Sequence, residues 1–207
     1  SVWYPIFCSV TSGARVVCRH ARTAVPHAPS VAVTPRPPLS HSPCEKPGGS
    51  AVTVSATDAP AAVRDVAALA GPHNAVNAGA ATACLRGLGF ADQQTETAMA
   101  RFAGLAHRLQ PVTSHGPITF VNDSKATNGV AAACALAAYD SIYWIAGGEA
   151  KEDGLGPAAA ATANVERAYL IGSAAPDFAQ ALRGRFPIML AGDLETATAA
   201  AFSDAAA

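Results

Sequence analysis

The stretch ITFVNDSKATN, Ile118 to Asn128, decides the fold. A short apolar run (Ile118, Phe120, Val121) ends in a polar cluster, and an alanine-rich helical pattern follows from Gly129. Strand, turn and helix in that order open an α/β unit, whose turn aims backbone N–H groups at anions or nucleotides. The turn holds two amides (Asn122, Asn128), a carboxylate (Asp123), two hydroxyls (Ser124, Thr127) and an ammonium (Lys125). Capping a helix uses one or two such groups. The surplus predicts a binding site.

Downstream, the pattern alternates regularly. Strand Pro117–Val121 leads to helix Gly129–Tyr139, then strand Ser141–Ala146 leads to Gly147–Gly148 and a polar loop. A short helix near Pro157–Asn164 is expected next, then strand Arg167–Ile171, helix Ala175–Leu182, strand Pro187–Leu190 and a last helix from about Leu194. Such alternation predicts an α/β fold with a doubly wound, mostly parallel sheet, in which ligands bind beyond the carboxyl ends of the strands. Asn122–Asp123 and Gly147–Gly148 end consecutive strands, and Lys151 follows the second. Both polar clusters are therefore expected on one rim.

Upstream, Ala51–Ser55 alternates like a short strand, and Pro60–Leu69 is of mixed apolar character. GPHNAVNAGAATACLRGLGF predicts a helix opening near His73–Asn74 and closing at Gly87–Gly89. A second helix is expected over about Gln93–Gly104, with Thr95, Ala98, Met99 and Phe102 on one face.

Residues 1–50 differ in character. They hold eight of the fifteen prolines, three of the five cysteines and three of the six histidines, with four Arg and one Lys against the single acid Glu45. So much proline supports neither helix nor strand, and the segment is expected to be disordered or non-native, such as the product of a shifted reading frame. Cys18, His20, His41 and Cys44 invite a zinc site, but no metal-ligand spacing supports it; no metal site is assigned.

Composition excludes several classes. Net charge is −1 with no basic block, which argues against nucleic acid. No apolar run reaches membrane-spanning length, and the start lacks a basic leader. The five cysteines lack framework spacing, with Cys84 and Cys134 in apolar helical contexts. The expectation is a cytoplasmic monomer acting on small molecules. Lysine is scarce: of fourteen cations only Lys46, Lys125 and Lys151 are lysines. Two of them fall in the expected functional loops, as a requirement for a compact ammonium would place them.

Individual groups admit more than one role. Asp123 can bond a ribose hydroxyl, ligate Mg²⁺ or cap the following helix. Lys125 and Lys151 can neutralise a phosphoryl group or a carboxylate, or sit solvated on the surface. Arg108 can stack on a purine, clamp a phosphate or form a surface salt bridge. Asn74 and Asn77, three apart, can read an adenine edge, or Asn74 can cap its helix. No GxxxxGK[ST] phosphate loop occurs.

Taken together, GPHNAVNAGAA, FAGLAHRLQPV, ITFVNDSKATN, IAGGEAKEDGL and AYLIG, in this order, resemble the Mur ligases, and among them those that add D-glutamate. The likeness covers roughly residues 69–172 well and the rest loosely. NDSKATN is the discriminating run. The resemblance implies a Rossmann-like C-terminal domain over residues 105–207, truncated at its end, preceded by a remnant of the central ATP-binding domain over 51–104. It implies ATP and Mg²⁺ as cofactors, with most Mg²⁺ ligands outside this chain. ATP would phosphorylate the terminal carboxylate of UDP-N-acetylmuramoyl-L-alanine, and the amino group of D-glutamate would attack the acyl phosphate, in peptidoglycan precursor synthesis.

By the same resemblance, Asn74, Asn77, His107, Arg108 and Asp123 would serve ATP, and Lys125, Thr127 and Lys151 the D-glutamate side. Lys125 and Asp123 would be catalytic. The departures are the absent phosphate loop, the absent uridine-binding domain and a GGEAK run with altered neighbours around Lys151. The isolated chain is therefore expected to be inactive. The competing readings are a non-catalytic α/β nucleotide-binding or interaction module, and another amino-acid ligase of the same superfamily.

Overall fold

A computed structural model of the chain describes residues 3–5, 53–149 and 154–207. Apart from residues 3–5, which form a strand, the segment 1–50 expected to be disordered lies outside the described residues, as do the four zinc candidates, Val52 and Lys151.

Residues from Val54 onward, with the N-terminal strand β1 (Trp3–Pro5), form one compact unit. Two helices come first, α1 (Pro72–Gly87) and α2 (Asp92–Ala100). An antiparallel hairpin of β2 (Gln110–His115) and β3 (Ile118–Asn122) follows, then α3 (Gly129–Leu136) and β4 (Ile142–Gly148). The chain continues through β5 (Val165–Ile171), α4 (Ala175–Ala181), β6 (Ile188–Gly192) and α5 (Leu194–Ala206). The main sheet has the order β1-β4-β5-β6, with β4, β5 and β6 parallel and β1 antiparallel on the edge. The α/β class and parallel pairing expected from the alternation are both present.

Burial explains the strand composition. Ala168, Tyr169, Leu170 and Ile171 are consecutive and all buried, so β5 is covered on both faces, as parallel strands require. Helix α5 packs on the sheet through Ala197, Ala201 and Ala205, each 1% exposed or less. These small side chains recur every four residues and let the helix axis approach closely. Asp204 fastens the same helix to β5, accepting the Tyr169 hydroxyl and pairing with Arg167 at 3.0 Å.

Four expectations need correction. Strand β3 does not join the parallel ladder; it pairs with β2, a strand that the alternation missed. Five of the six β2 residues are exposed, so QPVTSH has no apolar face to betray it. Thr53–Ser55 form no strand; Ser55 instead opens the 3₁₀ turn Ala56–Asp58, its N–H and hydroxyl both bonded to the Asp58 carboxylate (2.6 and 2.8 Å). The SATD run is a capping signal that outweighs the brief alternation. The helix near Pro157 is a single 3₁₀ turn, Gly156–Ala159. Helix α2 ends at Ala100, short of Gly104, whose φ of +85° suits glycine.

One close approach organises the rim. A Cβ on Gly129, the first residue of α3, would lie 2.1 Å from the Leu155 carbonyl oxygen. The N-terminus of α3 thus abuts the loop that follows β4. Gly129→Ala is expected to destabilise the fold by about 1–3 kcal/mol through overpacking. Gly87→Ala, with nothing within 4 Å of its new methyl, should be neutral or mildly stabilising. Urea unfolding of both variants checks this; equal midpoints would contradict the close approach.

Candidate functional site

The turn after β3 is built by its own side chains. Asn128 is the N-cap of α3, its Oδ1 accepting the Ala131 N–H at 2.9 Å. Of the roles open to Asp123, capping this helix is therefore excluded. Asn122, 4% exposed, folds its side chain inward, and its Oδ1 accepts the Ser124 N–H at 3.0 Å. The Lys125 N–H donates to the His107 carbonyl at 3.0 Å, while its side chain reaches solvent. Thr127 is half-buried beside it.

These residues hold a second segment, His107 to Leu109, against the turn. His107 and Leu109 both take left-handed backbone conformations, with φ of 63° and 42°. They are the only non-glycine residues with positive φ among the described residues. Each such conformation costs about 1–3 kcal/mol and persists where surrounding contacts over-determine it. Here Asp123 Oδ1 accepts the Leu109 N–H at 2.9 Å, Asn122 Nδ2 meets His107 Nδ1 at 3.0 Å, and Gln110 Oε1 accepts the His107 N–H at 2.9 Å. Arg108, between the two strained residues, is exposed and free to face a ligand.

Asp123 is only 6% exposed. Burial pushes its carboxyl up to about 7, against the Leu109 N–H and the Arg108 charge, which both favour the ionised form. A buried carboxyl held near neutrality at a strand end makes Asp123 a candidate functional residue.

The N-terminus of α3 borders the 3₁₀ turn Gly156–Ala159, whereas Asn122–Asp123 and Gly147–Gly148 end strands of different sheets. Asn128, Gly129, Val130 and Ala131 line one side of a depression of about 700 Å³, and Gly156 and Pro157 the other. Gly147, next to last in β4, has a φ of +141°, and a Cβ there would meet the Ile171 carbonyl oxygen at 2.0 Å. Glu149 is exposed just beyond it; Lys151 lies outside the described residues.

Asn74 and Asn77 are elsewhere. The Asn74 Nδ2 donates to the Ala70 carbonyl at 2.9 Å, and Asn77 Nδ2 reaches Asn74 Oδ1 at 3.4 Å. The N-cap of α1 is Gly71, not Asn74, and Pro72 takes the first helical position. Gly71 lies against Ala138, past the C-terminal end of α3. The Asn122–Asn128 turn is at the opposite end, and the eight residues of α3 span about 12 Å. The structure therefore brings His107, Arg108, Asp123, Lys125 and Thr127 together and leaves the asparagine pair apart. The clamp made by Asn122, Gln110 and the left-handed His107–Leu109 backbone escaped sequence reasoning. Nothing in HRLQ marks positive φ.

Among the described residues, no group of three or more His, Cys, Asp or Glu side chains converges to hold a metal ion. No helix among them is long and apolar enough to cross a membrane.

No family model matches the chain. Curated relatives do. The chain is 49% identical over 138 residues to the UDP-N-acetylmuramoylalanine–D-glutamate ligase of Rhizobium meliloti (strain 1021), covering 67% of this chain and 30% of that protein. It is 45% identical over 139 residues to the ligase of the same name from Phenylobacterium zucineum (strain HLK1), covering 67% and 30%. The ligase from Caulobacter sp. (strain K31) is 46% identical over 139 residues, again with 67% and 30% covered. The matched part of the chain belongs to this ligase family, and the chain spans about 30% of the length of the relatives it matches.

Burial of Asp123 has a measurable consequence. Its raised pKa means that the folded chain holds a proton that the unfolded chain has released between about pH 4 and 7. Stability from this group is therefore present at the acid end and falls as pH rises through that window, by on the order of 3–4 kcal/mol. Asp123→Asn keeps an acceptor for Leu109 but cannot titrate. The difference in unfolding free energy between the variant and its parent should grow from pH 4 to 7 in favour of the variant. Parallel pH profiles would show that the carboxyl is not buried as described.

Proposed function

We propose that this chain is part of an ATP-dependent ligase that joins D-glutamate to UDP-N-acetylmuramoyl-L-alanine through an acyl phosphate, in cytoplasmic synthesis of peptidoglycan precursors. The observation that carries the reading is the stitched rim. His107–Leu109 and Asn122–Asn128 are locked together at the end of a strand, in a chain 45–49% identical to D-glutamate-adding ligases over two thirds of its length.

In this reading residues 105–207 are a doubly wound, Rossmann-like C-terminal domain and 51–104 the end of the central ATP-binding domain. Arg108 faces the nucleotide, beside His107. Asp123 spends one carboxyl oxygen on Leu109 and turns the other to a ribose hydroxyl. Lys125, Thr127 and Lys151 receive D-glutamate. Asn74 and Asn77, set apart from the turn by about the length of α3, reach the far, adenine end of the nucleotide from α1. The chemistry gathers negative charge from phosphates and carboxylates at one point, and a fixed Lys125 ammonium lowers the energy of that arrangement most where the charge is greatest, in the transition state.

The described residues fit the nucleotide better than its metal. Arg108 and Lys125 are exposed cations, and the Arg108 charge acts on the Asp123 carboxyl, whereas no cluster of metal-ligating side chains forms among the described residues. No magnesium ligand is assigned to this chain, and ATP and Mg²⁺ are completed by residues beyond it. The chain alone is expected to give no turnover with ATP, D-glutamate and UDP-N-acetylmuramoyl-L-alanine.

The test is a full-length ligase in which this segment replaces its counterpart. The chimera should be active. Lys125→Ala within it should lower kcat by about a hundredfold or more, with little change in KM for ATP, as loss of a transition-state contact requires. Equal kcat for mutant and parent would leave the lysine as a surface residue and remove the catalytic reading of the rim.

A further inference from the structure

Two hydrogen bonds made by one buried side chain fix a proton position that coordinates alone leave open. The Ser124 N–H is a backbone donor, so the Asn122 atom facing it at 3.0 Å must be the carbonyl oxygen. The other end of the amide is then its NH₂ group, and that group lies 3.0 Å from His107 Nδ1. An NH₂ group only donates, so Nδ1 must accept. The ring proton is thereby placed on Nε2.

Nε2 makes no hydrogen bond to the described residues, yet it is not among the buried side-chain atoms without partners. It therefore reaches solvent, as does the guanidinium of the next residue, Arg108. We propose that Asn122 is a positioning residue that holds His107 in the Nε2–H tautomer, so that an imidazole N–H donor stands beside Arg108 for a phosphate oxygen of the nucleotide. The ligand assignment rests on the proposed function; the tautomer does not.

The clamp gives this arrangement its rigidity. The ring is held at Nδ1 by Asn122, while the backbone of His107 is held through its N–H by Gln110 and through its carbonyl by the Lys125 N–H. A neutral imidazole held at one nitrogen on a backbone fixed at two points presents its donor with little reorganisation when the anion arrives. Asn122 acts through the His107 ring, its side chain bonding only Ser124 and His107 among the described residues.

The experiment is long-range ¹H–¹⁵N correlation of the histidine side chains in the uniformly ¹⁵N-labelled 207-residue chain at pH 8. His107 should show a protonated Nε2 and an unprotonated Nδ1. A protonated Nδ1 would overturn the proposal outright, whatever the variants do. Asn122→Asp replaces the donor with a carboxylate oxygen and should invert the pattern to Nδ1–H; Asn122→Ala should give a mixture. An unchanged tautomer in both folded variants would mean that Asn122 does not set it.

Millimolar ADP then tests the donor role. The His107 Nε2 and Arg108 Nε resonances should shift together in the parent, and Asn122→Ala should bind ADP about tenfold more weakly, as loss of one hydrogen bond to a charged ligand implies. A shift at Arg108 without one at His107 would overturn the donor role while leaving the nucleotide reading intact. No shift at either would overturn the nucleotide reading, and the donor role with it, while the tautomer stands on its own result.

Discussion

The contact between the Asp123 carboxyl and the Leu109 N–H is the constraint on which the rim depends. It joins two segments fourteen residues apart, at 2.9 Å, in a setting where the carboxyl is nearly removed from water. Burying a carboxyl is unfavourable, and so is holding His107 and Leu109 in left-handed conformations. Neither would persist alone. Here each cost secures the other: the strained backbone presents the N–H that the buried carboxyl needs, and the carboxyl keeps the backbone strained. Arg108 is carried at the apex with its guanidinium in solvent.

A second constraint shapes the other side of the turn. Helix α3 starts at Gly129 because any side chain there would strike the Leu155 carbonyl, and Asn128 caps it from the preceding position. The helix N-terminus and the loop after β4 can then lie backbone to backbone. The alanine stripe of α5 allows a similar approach on the sheet, over a core anchored by Trp144, Tyr169 and Phe178. A chain poor in aromatics thus gains rigidity from short interaxial distances, and that rigidity fixes where the strand-end loops emerge.

Much of this was legible from residues. The strands β4, β5 and β6 and helix α4 follow from apolar runs punctuated by glycine and proline, and their boundaries agree to within a few residues. The polar surplus of NDSKATN marks the turn in the sequence itself. What escaped had physical reasons. The pairing of β3 with β2 depends on a strand whose exposed residues carry no alternation, and the left-handed pair in HRLQ is stabilised by side chains fourteen and fifteen residues away. The separation of Asn74 and Asn77 from the turn is likewise tertiary. Their spacing fixes only that they share a helix start, not which end of α3 that start meets.

The most direct measurement is a map of backbone amide shifts in the ¹⁵N-labelled chain on stepwise addition of ADP and then D-glutamate. The expected result is an ADP response confined to Asn74–Asn77, His107–Leu109 and Asn122–Lys125. Further shifts at Lys125–Asn128 should appear only when D-glutamate follows. An ADP response centred on the α1–α2 pair alone, or D-glutamate shifts that ignore the turn, would contradict the assignment of this rim as the nucleotide and amino-acid face of the ligase.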